Sequence, residues 1–137
     1  MSIHYPAILT PEQGGYLVQF VDLEEAFTEG GTPEEALFNA SEVLTLTLDG
    51  RLDEGMDIPS PSSDVEGAHY IAPDAKTQSA LLVRRARGNR SLADIARALD
   101  TSWPAAKRLE DPHHWPSLKQ LDKAAAALGK RLVLSFE

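Results

Sequence analysis

Apolar residues alternate with polar ones near the start of the chain, recur every third or fourth position through most of it, and alternate again at the close. The first alternation, Ile3–Thr10, places Ile3, Tyr5, Ala7 and Leu9 on one face of a strand. Gly14-Gly15 supplies a turn, and a second strand follows in which Tyr16, Val18 and Phe20 face the same way. A short third strand is expected at Ala26–Glu29, broken by Gly30-Gly31. Thr32-Pro33-Glu34-Glu35 then reads as a helix start, with a capping threonine, a proline in the first turn and a carboxylate where a capping box wants one. Ala36, Leu37, Ala40, Val43, Leu44, Thr47 and Leu48 form the apolar stripe of that helix, which is expected to pack across the sheet. Phe38 and Leu46 fall off the stripe, toward solvent or a second chain. Gly50 and Gly55 weaken the helix, Ile58–Ser63 has the composition of a linker, and Ala68–Ala72 returns as an edge strand.

The period then changes. Helices are expected at Lys76–Arg87, Leu92–Leu99, Trp103–Glu110 and Ser117–Leu128. Gly88-Asn89 stops the first, Ser91 and Ser102 cap the second and third, and Asp111-Pro112 and Gly129 close the last two. Arg131–Phe136 alternates like a terminal strand. The fold class predicted is α+β: a βββα(β) module over residues 1–72 and an all-helical module with a terminal strand over 73–137.

Charge sharpens that division. Residues 1–70 hold one basic side chain, Arg51, against fourteen acidic ones, a net of −13. Residues 71–137 hold twelve basic and seven acidic side chains, a net of +5. Nucleic acid repels the first half and attracts the second, so two partners are expected. The chain has no cysteine, which excludes disulfides and thiolate metal sites. No apolar run reaches the roughly 20 residues of a membrane span, and the opening Met1–Pro6 lacks the basic flank and apolar stretch of a signal peptide. A cytoplasmic protein without membrane contact is expected.

Two short helices separated by about three residues, with small residues at their crossing, make a helix-turn-helix candidate. Ala96 permits close approach, and Leu99, Ala106 and Leu109 fill the wedge. Ser102 caps the helix whose start would enter the major groove, with Trp103 at its tip and Lys107 and Arg108 one turn on. Arg90 and Arg97 are candidates for the flanking phosphates. The run Leu92–Leu99, Ser102, Lys107–Glu110, Ser117–Leu121 and Ala126–Gly129 resembles the Cro/cI-type helix-turn-helix superfamily. Asp100 stands where that pattern usually has glycine, and Leu92 where it often has a polar residue.

The opening half is similar to HicB-type antitoxins. Tyr5-Pro6, Gly14-Gly15-Tyr16, Phe20, Asp22-Leu23, Phe27-Thr28, Thr32, Glu34–Leu37, Asn39-Ala40, Glu42 and Leu48 carry the resemblance. Val21 departs from it, where the family usually has proline. Arg108–Pro112, His114 and Leu128–Leu134 resemble the DNA-binding tail of many such antitoxins. The resemblance implies a degraded RNase H-like domain that blocks a HicA-type mRNA-cleaving ribonuclease toxin, together with repression of its own operon at an inverted repeat. It implies no cofactor. A toxin that grips RNA presents basic surface, so Asp22, Glu24, Glu25 and Glu29 are the expected toxin contacts. Pairing into a homodimer or homotetramer is expected, with Leu132, Val133, Leu134 and Phe136 of the terminal strand as the dimer element.

Two other readings compete. One is a stand-alone helix-turn-helix regulator whose first module oligomerises or senses a ligand. The other is a metal-dependent nuclease, which needs several converging carboxylates, one typically on the first strand. Ile3–Thr10 contains no acid, and Asp22, Asp49 and Asp53 read as solvated surface. His113 and His114 are adjacent, so their side chains diverge, and His4 and His69 read as ordinary strand residues.

Overall fold

A computed structural model describes residues 2–137. Among them the chain forms four strands and five helices: β1 (Tyr5–Glu12), β2 (Gly15–Phe20), β3 (Phe27–Gly30), α1 (Pro33–Asp53), β4 (His69–Ile71), α2 (Ala75–Arg87), α3 (Leu92–Ala98), α4 (Trp103–Arg108) and α5 (Leu118–Ala127). The fold is mixed α+β. The sheet is antiparallel throughout, in the order β3-β2-β1-β4, with Ala7 opposite Phe20, Tyr5 opposite Ile71 and Tyr16 opposite Gly30. Gly14 makes the β1–β2 turn at φ +85°, a conformation that costs a residue without Cβ little.

Tyr5, Ala7, Val18 and Phe20 fill the inner face of the sheet, and Ala36, Ala40, Leu44 and Leu48 of α1 close over them. The approach is tightest at Gly30, where an added Cβ would lie 2.5 Å from the Ala36 backbone nitrogen. Thr32 caps α1 by accepting from the Glu35 N–H at 3.1 Å. The helix then runs through Gly50 to Asp53, further than that glycine suggests. Leu48 and Asp49 are buried just before it, and Arg51 just after it is held by Glu25 and the Asp57 carbonyl. Packing outweighs the roughly 1 kcal/mol that a helical glycine costs. Phe38 and Leu46 are exposed, as their place off the stripe requires.

A second core unites Val83 of α2 with Ile95, Ala96, Ala106, Leu109, Ala124 and Leu128. Helix α2 serves both cores, because Leu81, two residues before Val83, packs with Tyr5, Phe20 and Leu44. The α1–α2 seam is polar. Asp49 is only 7% exposed, accepts from Thr77 Oγ1 at 2.6 Å and from Lys76 Nζ at 3.3 Å, and so is not the surface acid its sequence context suggests. Burial lowers the pKa of the Lys76 ammonium, but its contacts with Asp49 and Asp74 outweigh that and leave it raised.

The terminal strand is a second correction. Residues 130–137 are irregular and join no ladder, although Leu132, Leu134 and Phe136 alternate as a strand would. A strand needs a hydrogen-bonding neighbour, and the sheet order β3-β2-β1-β4 does not include the tail. No helix of the described residues is long and apolar enough to cross a membrane.

Candidate nucleic-acid interface and acidic face

Helices α3 and α4 are joined by Leu99–Ser102 and cross where Ala96 and Ala106 are buried, small enough for close contact. Asp100 takes φ +51° in the connection, the left-handed conformation that aspartate tolerates better than most residues. The Thr101 N–H closes the turn on the Ala96 carbonyl at 2.9 Å. Ser91 caps α3 by accepting from the Asp94 N–H, and Ser102 caps α4 by accepting from the Ala105 N–H. Leu109 and Ile95 anchor the pair in the second core.

The outward end of α4 brings together four of the residues expected to meet DNA. Ser102, Trp103, Lys107 and Arg108 are exposed, with Trp103 at 47%, and the Lys107 ammonium sits 5.2 Å from the centre of the Trp103 ring. That cation–π contact spans one helical turn and presents a flat apolar face beside a positive charge. Arg97 is exposed on α3 and bridges to Asp94 one turn earlier. Arg90, expected at a flanking phosphate, is exposed and also makes contacts within the protein. Its guanidinium donates to the carbonyls of Ala86 and Leu128 at 3.0 and 3.3 Å, tying the ends of α2 and α5. Arg87 grips Glu110 through two bonds of 2.6 and 2.9 Å, which raises its pKa and fixes the far end of α4. Sequence reasoning missed that clamp, because its partners lie 23 residues apart.

On the first module the four expected acids divide. Glu24, Glu25 and Glu29 are exposed. Asp22 instead accepts from the Ser62 N–H at 2.8 Å and its hydroxyl at 2.5 Å, pinning the 59–63 segment. Glu25 takes both nitrogens of the Arg51 fork at 2.8 Å, and that hydrogen bonding holds its carboxyl below the usual range. Glu29 shares a depression of about 460 Å³ with Glu12 and Glu35, floored by Gly15 and Gly30. Gln19 donates from its amide to the carbonyls of Phe20 and Ala26 and so holds the 21–26 turn that carries Glu24.

Residues 4–76 match the HicB_like antitoxin family of bacterial toxin–antitoxin systems. The chain is also 33% identical to Antitoxin HicB of Escherichia coli (strain K12) over 135 residues, covering 96% of this chain and 98% of that one. The chain belongs to the HicB family of antitoxins. Antitoxin HicB 1 of Photorhabdus laumondii is 32% identical over 139 residues, covering 99% of this chain and 88% of the relative. Antitoxin HicB of Pseudomonas fluorescens (strain Pf0-1) is 27% identical over 140 residues, covering 100% and 96%. The likeness to HicB proteins therefore runs through both halves. The family places this chain in a regulatory, antitoxin role within a toxin–antitoxin system.

Within this HicB chain the acids that a nuclease would need to converge on metal are bound to protein groups: Asp22 to Ser62, and Asp49 to Thr77 and Lys76. Asp53 is paired too. His113 Nε2 lies 2.7 Å from Asp53 Oδ2, Asp111 stands beside them, and the ligand atoms of all three fall within 4.8 Å of one another. The hydrogen bond and charge of Asp53 raise the imidazole pKa above its ordinary 6.5. All three are exposed, and the ion pair accounts for their grouping. His4 is likewise not a bare strand residue, since its ring lies 2.8 Å from Glu137 Oε2.

Proposed function

We propose that this HicB-family antitoxin blocks a HicA-type mRNA-cleaving ribonuclease with its first module and represses its own operon with its second. In this reading residues 1–72 are a degraded RNase H-like domain and residues 73–137 a Cro/cI-type helix-turn-helix domain. The observation that carries it is the likeness to named HicB antitoxins along both halves of the chain. The division of charge supports it, with net −13 ahead of residue 71 and +5 after it. Glu24 and Glu29, with Glu12 and Glu35 beside the latter, offer uncommitted carboxylates to basic toxin side chains, and opposite fields speed that encounter. Asp22 and Glu25 act one step back by shaping the loops around them.

For DNA, α4 enters the major groove with Ser102 and Trp103 leading and Lys107 and Arg108 at base or phosphate distance. Arg97 lies on the flank. One such domain makes too few contacts for tight specific binding, so two act together on an inverted repeat, as a homodimer or within a homotetramer. Co-expression with the adjacent gene tests the whole reading. A stable complex should purify, with ribonuclease activity blocked and upstream DNA retarded. Recovery of the chain alone, with no effect on the neighbouring product, would sink it.

A further inference from the structure

The leading turn of α4 is built of apolar side chains that the rest of the protein does not cover. Trp103 is 47% exposed, Pro104 is exposed beside it, and neither is part of either core. Their capacity for hydrogen bonds is small. Proline has no N–H, the indole has one donor and no acceptor, and the Ser102 hydroxyl before them already accepts from the Ala105 N–H. The Lys107 ammonium, 5.2 Å from the ring centre, holds the indole from one face. Lys107 and Arg108 are exposed, and neither forms an ion pair among the described residues. Behind this turn the helix is fixed, by Leu109 in the second core and by the Arg87 grip on Glu110. The result is a flat apolar surface, rigidly mounted and bordered by positive charge.

We infer that Trp103 and Pro104 read the C5 methyl group of a thymine, so that each operator half-site carries a T·A pair opposite the start of α4. The inference rests on the repressor reading, which puts α4 in the major groove, and adds to it the base that this turn selects. Bases are told apart in that groove mostly by their donors and acceptors, and the thymine methyl is the one apolar group among the four. Trp103 and Pro104 together offer one donor and no acceptor. That falls short of the donor–acceptor pair adenine asks for and of the two donors guanine asks for. What they can do is bury a methyl. A phosphate, being charged, gains nothing from an indole and a pyrrolidine ring, whereas Lys107 and Arg108 on the same helix are suited to it. Lys107 contributes twice. Its charge draws the turn toward the DNA backbone, and its contact with the ring means the methyl meets a surface already in place, with little side-chain freedom left to lose on binding.

Replacing thymine by deoxyuridine removes that methyl and leaves the base pairing intact. The probe is the duplex upstream of this chain's own gene, with the thymines of the stretch that the protein protects replaced together and then singly. For the full-length protein, deoxyuridine at the read position should weaken binding about fourfold per half-site, the worth of roughly one buried methyl. Deoxyuridine elsewhere should change little. Trp103→Ala should bind the thymine duplex more weakly and no longer distinguish it from the deoxyuridine one, with an unchanged circular dichroism spectrum because the side chain lies outside both cores. A second measurement keeps the indole in place. Trp115→Phe leaves Trp103 as the single tryptophan, and its emission should shift on binding the thymine duplex and shift less on the deoxyuridine one. Equal affinity of the unaltered protein for both duplexes, a difference that survives intact in Trp103→Ala, or an emission untouched by binding overturns the inference and leaves the repressor reading standing. Retardation of neither duplex at low salt overturns both.

Discussion

Gly30 shows how much can depend on one missing methyl group. A Cβ there would meet the Ala36 nitrogen at 2.5 Å and its Cα at 2.8 Å, both backbone atoms that cannot turn aside. Gly30→Ala should therefore lift the first turn of α1 from the sheet, with a Tm fall far beyond that of an ordinary surface change. Thermal unfolding by circular dichroism would show it, and an unchanged Tm would refute the packing argument. His113 makes a different residue-scale prediction. Its pKa is raised by Asp53, so the ion pair contributes fully below pH 6.5, the ordinary imidazole value, and is lost as pH climbs through the higher folded-state value. Proton NMR should find His113 titrating above 6.5 and returning toward it in Asp53→Asn. Identical midpoints in the two proteins would mean the pair does not form in solution. Asp49 was illegible at this scale, because the groups that neutralise its burial, Lys76 and Thr77, arrive 27 and 28 residues later.

Among the elements, the beginnings of helices were the most readable. Thr32, Ser91 and Ser102 all cap as their positions suggest, while Ser117, expected inside its helix, is the cap and closes a full capping box with Gln120. Ser102→Ala should cost about 1 kcal/mol and loosen the start of α4, read as lower stability together with weaker DNA retardation. Helix ends were less readable. The run of α1 past Gly50 depends on Leu48, Asp49 and Arg51 being held by other elements, which no local pattern records. Because an added Cβ at Gly50 meets nothing within 4 Å, Gly50→Ala should stabilise the protein by up to about 1 kcal/mol. Denaturant titration checks this, and destabilisation would mean the helix end is not as described. The tail, expected as a strand, is irregular in the single chain for the converse reason. Its alternation is real, but pairing is a property of two segments, and the described chain holds only one.

At the scale of the whole molecule, the charge division legible in the sequence survives in the fold with its acids redistributed. Of the four anticipated toxin contacts, Asp22 binds Ser62 and the exposed Glu25 pairs with Arg51, while Glu12 and Glu35 join Glu29 around one depression. Reversing Glu24 and Glu29 to lysine should slow toxin association most at low salt and leave the DNA complex unchanged. Equal affinity at both ionic strengths would remove that face from the interface. Replacing Lys107 or Arg108 with alanine should do the opposite, weakening retardation of DNA and, for a phosphate contact, lowering the salt slope by about one. A slope unchanged in both variants would place the DNA contacts elsewhere. The two cores share a single rod, α2, with Leu81 in one and Val83 in the other. Anyone dissecting the protein therefore meets a helix that both pieces need. A cut between residues 72 and 73 leaves the front piece with a hole where Leu81 sat, and one beyond Arg87 takes Val83 from the rear piece. Overlapping fragments that each keep α2 are the pair expected to behave as folded proteins, while abutting ones precipitate.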